Sequence, residues 1–221
     1  MLICEELFLL LTSADGSRKA SSSRSFGLVA AVVTDLVVRG SVTLSTDKDP
    51  QATVTDPTPL GDPVLDPALA RLTAKDNRRM SATLRDGHLN PEKAIAASLA
   101  ARGVVTIDQR SFLGVTWNKY PEGNPTPELQ LRHRLDAVLH GWTPTLADVA
   151  LLSILEGLNA VPIVLSQETA GMSRREVKAR IRDLEPPTDS PRAVPADVGR
   201  AVKRAVDAMT TVLFITVATT T

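Results

Sequence analysis

The stretch Asp35-Leu-Val-Val-Arg-Gly-Ser-Val-Thr-Leu44 decides the fold, because it joins an apolar helix to a short alternating segment. A second stretch, Ser98-Leu-Ala-Ala-Arg-Gly-Val-Val-Thr-Ile107, has the same pattern. Glycine can adopt the left-handed conformation that closes a helix, and the arginine before it places positive charge at the negative end of the helix dipole. The pattern therefore predicts a helix end with positive φ at Gly40 and at Gly103, followed in each case by a short strand.

Apolar residues at helical spacing occur in most of the segments before and after these two stretches. Residues 3–12 predict a short buried helix, and residues 26–38 and 144–158 are apolar nearly all round, which is typical of helices in the middle of a bundle. Capping signals and apolar stripes predict amphipathic helices over 67–75, 77–86, 91–102, 126–139, 173–184 and from Pro195 onward. Three acids interrupt the apolar helices, and we expect arginine partners or backbone N–H groups to satisfy them: Asp35, Asp148 and Glu156.

The connections complete the predicted architecture. Residues 13–25 read as a polar loop, 45–63 as an irregular connection and 185–191 as a break. Strands over 104–107 and 112–117, joined by Asp-Gln-Arg-Ser, predict a β-hairpin within 104–117. The sequence therefore predicts a mainly α, single-domain helical bundle over residues 1–221, with apolar central helices ringed by amphipathic ones and a small protruding β-hairpin.

Composition limits the function classes. The 221 residues carry 25 Lys+Arg and 25 Asp+Glu, so the net charge is zero and wholesale nucleic-acid binding is disfavoured. The single cysteine, Cys4, cannot form an intrachain disulfide. The longest apolar runs fall far short of the roughly 20 residues that cross a bilayer. We expect a cytoplasmic protein, either free or peripheral at a membrane surface.

The side chains with catalytic or ligand chemistry form no recognisable site. His88, His133 and His140 lack the spacing of a helical metal site, and no cysteine partners them. There is no nucleophile elbow, phosphate-cradling loop or dinucleotide fingerprint. The sequence therefore predicts no metal, no cofactor, no catalytic residue and no enzyme activity.

The order of motifs points to a known family. A leucine-rich first helix and a polar loop precede Gly27-Leu-Val-Ala-Ala-Val-Val-Thr-Asp-Leu-Val-Val-Arg-Gly40, then Gly61-Asp-Pro-Val-Leu-Asp-Pro-Ala-Leu69. Leu99-Ala-Ala-Arg-Gly-Val-Val-Thr106 and a hairpin ending at Tyr120-Pro121 come next, followed by Leu139-His-Gly-Trp-Thr-Pro-Thr-Leu-Ala-Asp-Val-Ala-Leu-Leu-Ser-Ile-Leu155. This order resembles the short prokaryotic branch of the Golgi phosphoprotein 3 family over nearly all of residues 3–218, which implies a bacterial source.

The resemblance implies a mostly α-helical domain and a role at membranes. Eukaryotic members of the family are peripheral Golgi proteins that bind phosphatidylinositol 4-phosphate and the cytosolic tails of glycosyltransferases. Their headgroup pocket uses a tryptophan in the loop before the first Arg-Gly helix, an arginine near that helix's start and two arginines near the start of the helix before the second Arg-Gly. An ungapped alignment places Ala20, Val29, Leu89 and Glu92 at these positions, so the pocket side chains are not retained.

Other cations could replace that pocket. A phosphate headgroup needs several Arg or Lys donors in a shallow cleft. The candidate headgroup residues are Arg18, Lys19 and Arg24 of the polar loop, with Arg85 and Lys93 as helpers. Each such cation contributes roughly 1 kcal/mol on an anionic surface. We expect salt-sensitive binding with weak selectivity among anionic lipids; the alternative is a solvated loop with no ligand.

Three functions remain open from the sequence. The first is a non-catalytic peripheral membrane adaptor that binds anionic lipid headgroups, phosphatidylinositol 4-phosphate among them, and protein tails, with oligomers formed through the hairpin. The second is a winged-helix nucleic-acid-binding regulator, since a helix followed by a hairpin resembles a helix followed by a wing. The helix over 91–102 has only Lys93 and Arg102 against Glu92, which disfavours it. The third is an enzyme with an unrecognised site, and we favour the first.

Overall fold

The computed structural model describes residues 1–185 and 196–219, and it is mainly α-helical, as predicted. Its α-helices in those residues are α1 (Ile3–Leu10), α2 (Arg24–Val38), α3 (Leu65–Thr73), α4 (Met80–Leu84), α5 (Glu92–Ala101), α6 (Thr126–Leu139), α7 (Leu146–Gly157), α8 (Val161–Val164), α9 (Arg174–Arg182) and α10 (Ala196–Ala218). Its strands are β1 (Val42–Leu44), β2 (Gln51–Val54), β3 (Arg78–Arg79), β4 (Asp108–Phe112) and β5 (Val115–Lys119), and a 3₁₀ turn covers Gly87–Leu89. Of the predicted break, residues 186–191 lie outside the described residues.

The centre of the core is formed by α1, α2 and α7. All eight residues of α1 are buried, and so are most residues of α2 and α7. These helices contact one another, and α10 packs against α7 and α2. A helix without a polar face is stable in water only when other elements surround it, which explains why the two apolar helices of the sequence became central.

Both Arg-Gly stretches close their helices in the same way. Gly40 has φ +77° and Gly103 has φ +70°, which confirms the predicted left-handed glycines. The N–H of Gly40 donates to the carbonyl of Val37 at 3.0 Å, and the next N–H donates to the carbonyl of Leu36 at 3.0 Å. The same pair of bonds recurs after α5, so the two ends are equivalent Schellman motifs.

The segments after the two glycines differ. Strand β1 begins two residues after Gly40, as predicted. The strand predicted over 104–107 is wrong, because this segment joins the core as irregular chain. Val104 and Val105 are buried, and Val105 makes only an isolated bridge to Glu122. Two consecutive valines are buried while Ile107 is 48% exposed, so the segment lacks the alternating burial of a half-buried strand.

The hairpin exists but lies further along the chain than predicted. Residues 108–111, predicted as its turn, are part of β4, and β5 runs to Lys119. Leu113 and Gly114 form the two-residue turn with φ of 48° and 80°. Positive φ at both positions is the type I′ geometry that matches the twist of paired strands. Gly114 was the local signal for this register.

The protein has a second small sheet that was not predicted from the sequence. Strands β1, β2 and β3 pair in that order, all antiparallel. Strand β2 falls in the segment 45–63 that was predicted to be irregular. Its sequence, Gln-Ala-Thr-Val, alternates polar and apolar residues, but only four residues long it is a short signal among the Asp and Pro residues around it, and it pairs with β1 and β3 on either side.

Two of the three acids in the apolar helices are buried and satisfied, as expected. The carboxylate of Asp35 accepts hydrogen bonds from the N–H groups of Ile3 and Cys4, each at 2.9 Å, and so holds the start of α1. Burial raises the pKa of Asp35 to about 6. Asp148 is paired with Arg134 at 2.6 Å. The third acid, Glu156, is only partly buried and lies 3.7 Å from Lys178.

None of the helices within residues 1–185 and 196–219 is both long and apolar enough to pass through a membrane.

Candidate binding cleft beside the hairpin

The polar loop over residues 13–23 is anchored to the rest of the protein. Thr12 and Arg18 form an isolated antiparallel β-bridge, which closes the loop on itself. The N–H of Glu122 donates to the carbonyl of Ala14 at 3.0 Å, which ties the loop to the segment after the hairpin. Gly16 packs against the backbone at Tyr120, where a Cβ would come within 2.6 Å of the tyrosine nitrogen. The loop therefore holds its cations in fixed positions instead of carrying them on a free arm.

Arg24 lies inside the protein. It is the first residue of α2, and only 2% of its surface is exposed. Its guanidinium donates to the carbonyl of Leu11 and to the hydroxyl of Thr12, and it stacks over the ring of Phe8 at 4.6 Å. Burial lowers the pKa of Arg24 to about 10. Arg24 was predicted as a headgroup contact on the polar loop, but it is the first residue of α2 and its two Nη groups donate to buried acceptors.

The carboxylate of Glu92 contacts both arginines of this region. Its Oε1 accepts a hydrogen bond from Nε of Arg18 at 3.0 Å and lies 3.4 Å from Nε of Arg24. Glu92 is also the first residue of α5, where a carboxylate is favoured by the helix dipole. One of the positions that the ungapped alignment assigned to a family arginine therefore holds an anion.

A cleft of about 550 Å³ lies where the loop, the start of α5 and the hairpin meet. Opposite residues of an antiparallel pair share a face, so Gln109 and Asn118 lie on one face of the hairpin together with Ser111 and Thr116. The cleft is lined by Arg18, Gly87, Asn90, Glu92, Lys93, Gln109, Thr116, Trp117, Asn118 and Tyr120.

The five predicted headgroup residues divide into four locations. Arg18 and Lys93 line the cleft, and Arg24 lies behind Glu92. Lys19 lines a different pocket, and burial together with the charge of Arg132 lowers its pKa. Arg85 ends α4, is exposed and does not line the cleft. The structure thus brings together two of the five candidates.

The other face of the hairpin is apolar and exposed near the turn, whereas Asp108, Arg110 and Lys119 carry charge at its far end. Phe112 is opposite Val115, and the two are 67% and 64% exposed. Trp117 is opposite Arg110 on the same face and also reaches the edge of the cleft, and Leu113 at the turn is 87% exposed. Of the eleven large hydrophobic side chains exposed in the described residues, five lie between 107 and 117. This surface was not predicted from the sequence, because the predicted strands had a different register.

The described residues contain no cluster of three or more His, Cys, Asp or Glu side chains that could hold a metal ion. The cleft offers amides, hydroxyls, one carboxylate and two cations. Such groups suit reversible binding of a polar ligand.

The comparison with protein families matches the sequence to one family. The model of the family described as Golgi phosphoprotein 3 (GPP34) matches residues 3–209. The chain belongs to the Golgi phosphoprotein 3 family. The matched range contains the whole cleft and hairpin, and membership in this family fits a non-catalytic adaptor. None of the curated proteins compared with the chain matches it.

Proposed function

We propose that this Golgi phosphoprotein 3 family member is a non-catalytic peripheral membrane adaptor that attaches to anionic membranes through its hairpin. The observation that carries the proposal is the exposed apolar face formed by Phe112, Val115 and Trp117, with Leu113 at its tip. Soluble proteins rarely keep such a contiguous surface unless it contacts a membrane or another protein.

The hairpin face has the chemistry of a shallow membrane anchor. Full burial of one Leu, Val or Phe side chain contributes roughly 1.5–3 kcal/mol, so partial burial of three gives reversible attachment. Tryptophan favours the boundary between lipid and water, because its ring is apolar and its N–H is polar. Lys93 and Arg85 are exposed and add attraction of roughly 1 kcal/mol each near an anionic surface.

Anionic lipid headgroups are the proposed ligands, and phosphatidylinositol 4-phosphate is the one that the family resemblance implies. Arg18 and Lys93 are the candidate contacts, because both line the cleft. Lys19 and Arg85 lie outside it, and Arg24 supports Glu92 from inside. Protein tails are a further proposed partner, and they would dock while the hairpin holds the protein at the cytoplasmic membrane surface.

Features of α5 and of the cleft weigh against the other two functions. The exposed side of α5 carries Lys93, while Arg102 is paired with Glu5, so this helix lacks the basic surface that groove recognition needs. The cleft contains no histidine or cysteine among its lining residues in the described chain, which disfavours an acid–base or nucleophilic site.

Phe112→Asp/Val115→Asp tests the proposal. We expect this variant to lose at least about tenfold in vesicle affinity, because two buried apolar contacts become charges facing an anionic surface. The measurement is flotation with phosphatidylcholine vesicles that contain an anionic lipid. Leu129→Asp/Ile163→Asp is the matched control, since both residues are exposed on other elements and add the same charge.

Two outcomes would contradict the membrane proposal. The first is equal flotation of the hairpin variant and the control. The second is unchanged flotation combined with a shift from oligomer to monomer on size exclusion, which would make the hairpin face a contact between copies of the chain.

A further inference from the structure

A cavity of about 370 Å³ lies at the junction of α7, α8, α9 and α10, and it shares no lining residue with the cleft beside the hairpin. Pockets of roughly 300–1,000 Å³ that combine apolar walls with a few polar groups are typical of small-molecule sites. The apolar wall of this cavity is formed by Val161, Pro162, Met172, Val177 and Phe214. The proposed membrane function does not use the cavity.

The packing of the surrounding elements fixes the shape of the cavity. Gly157 of α7 allows α10 to approach closely, because a Cβ there would come within 3.1 Å of Thr210. Phe214 follows Thr210 by one turn, so both lie on the same side of α10. In the segment after α8, the N–H and the hydroxyl of Thr169 donate to the carbonyl of Leu165 at 3.0 and 2.7 Å. The walls are therefore held by the fold, and a ligand needs little rearrangement to enter.

The charged groups of the cavity leave one positive charge uncompensated. Nζ of Lys178 lies 3.7 Å from Oε1 of Glu156 and 5.9 Å from the centre of the Phe214 ring, so this lysine already has an anionic and an aromatic partner. Arg174 lies one turn before Lys178 on α9, lines the same cavity and forms no ion pair with any described residue. An unpaired guanidinium favours one anionic group, whereas Glu156 repels a second negative charge on the same ligand.

We propose that this cavity binds a small monocarboxylate with an apolar body, of the fatty-acid type. The guanidinium of Arg174 pairs with the carboxylate through two parallel hydrogen bonds, which is the geometry that arginine favours. The apolar body packs against Met172, Val177 and Phe214, and so removes apolar surface from water. The inference goes beyond the proposed membrane function, because it gives the protein a small soluble ligand.

Titration of octanoate into the isotopically labelled full chain tests the inference. Amide shifts are expected at Thr169, Val177 and Lys178, and not at Gln109 and Asn118 of the cleft. Octanol and octylamine carry the same alkyl chain with no charge and with a positive charge. Each is expected to bind at least about tenfold more weakly than octanoate, because neither accepts charge-assisted hydrogen bonds from arginine. Equal binding of octanoate and octanol, or no shift at the cavity residues, would overturn the inference.

Paired variants assign the binding to named side chains. Arg174→Ala is expected to lose at least about tenfold in octanoate affinity and to keep the affinity for octanol. Arg175→Ala is its control, since that neighbouring arginine is exposed and lies outside the cavity. Phe214→Ala is expected to weaken both ligands, whereas Ile215→Ala, which removes a side chain that is 56% exposed outside the cavity, is expected to weaken neither. Equal losses in the two arginine variants would reduce the effect to general charge attraction and contradict the assignment.

The hairpin variant separates this site from the membrane function. Phe112→Asp/Val115→Asp is expected to bind octanoate as tightly as the wild type, because neither residue lines the cavity. If octanoate shifts the cavity residues but vesicles do not float the wild-type protein, the membrane function fails and the cavity inference holds. If vesicles float the protein but octanoate causes no shift at the cavity, the membrane function holds and the cavity inference is overturned.

Discussion

Val33→Asp is expected to unfold the protein. Val33 lies in the middle of α2 with 0% of its surface exposed, and the residues one turn away from it along the helix are also buried and apolar. An unpaired carboxylate at this position costs at least about 4–5 kcal/mol, against a total stability of roughly 5–15 kcal/mol for a typical domain. Circular dichroism during heating and the yield of soluble protein are the measurements.

The control for this substitution is Leu129→Asp, which places the same charge on α6 where the side chain is 61% exposed. We expect that variant to keep nearly the wild-type melting temperature, because surface substitutions usually change stability little. A Val33→Asp protein that melts at the wild-type temperature would mean that α2 is not a central helix.

Asp35→Ala is expected to cost about 2 kcal/mol at about pH 7, since it leaves two buried N–H groups at the start of α1 without acceptors. All of α1 is buried, so these N–H groups cannot form hydrogen bonds with water instead. Chemical denaturation gives the free energy of unfolding. Asp136→Ala is the control, because that carboxylate is about half exposed and is paired only with His140.

The effect of Asp35→Ala also depends on pH. Burial raises the pKa of Asp35 from 3.8 to about 6, so the folded protein binds this proton more tightly than the unfolded chain does. The stabilisation from that proton is fully present below about pH 4 and is lost as the pH rises through about 6. We therefore expect the substitution to cost about 1 kcal/mol more at about pH 5 than at about pH 7. A cost that grows with rising pH would contradict the raised pKa.

Local chemistry made much of the fold predictable. The positive φ of Gly40 and Gly103 depends only on the helix that each glycine ends, and it was confirmed. The all-apolar character of α2 and α7 likewise predicts their burial without knowledge of their partners. The strand predicted over 104–107 failed because only Val104 and Val105 are buried there, in a core loop, and short apolar runs do not distinguish such a loop from a strand. The hairpin register instead follows from its Leu-Gly turn.

The site was less predictable because it depends on contacts between distant segments. Residues 18 and 92 are far apart in sequence, and their ion pair exists only once the loop folds against α5. The burial of Arg24 required knowing that the end of α1 presents acceptors to it. The position of Glu92 at the start of a helix could be predicted from the sequence. That the amide side chains of the hairpin line the cleft could be predicted only with the correct strand register.

The orientation of the protein on a membrane is the most direct measure of the proposed function. The chain has two tryptophans, Trp117 on the apolar hairpin face and Trp142 between α6 and α7. In Trp142→Phe, anionic vesicles should shift the emission of Trp117 to shorter wavelength, and brominated lipids should quench it. In Trp117→Phe, the emission of Trp142 should change little under the same conditions. Quenching of Trp142 alone, or of neither residue while the protein is bound, would show that the hairpin is not the membrane-binding face.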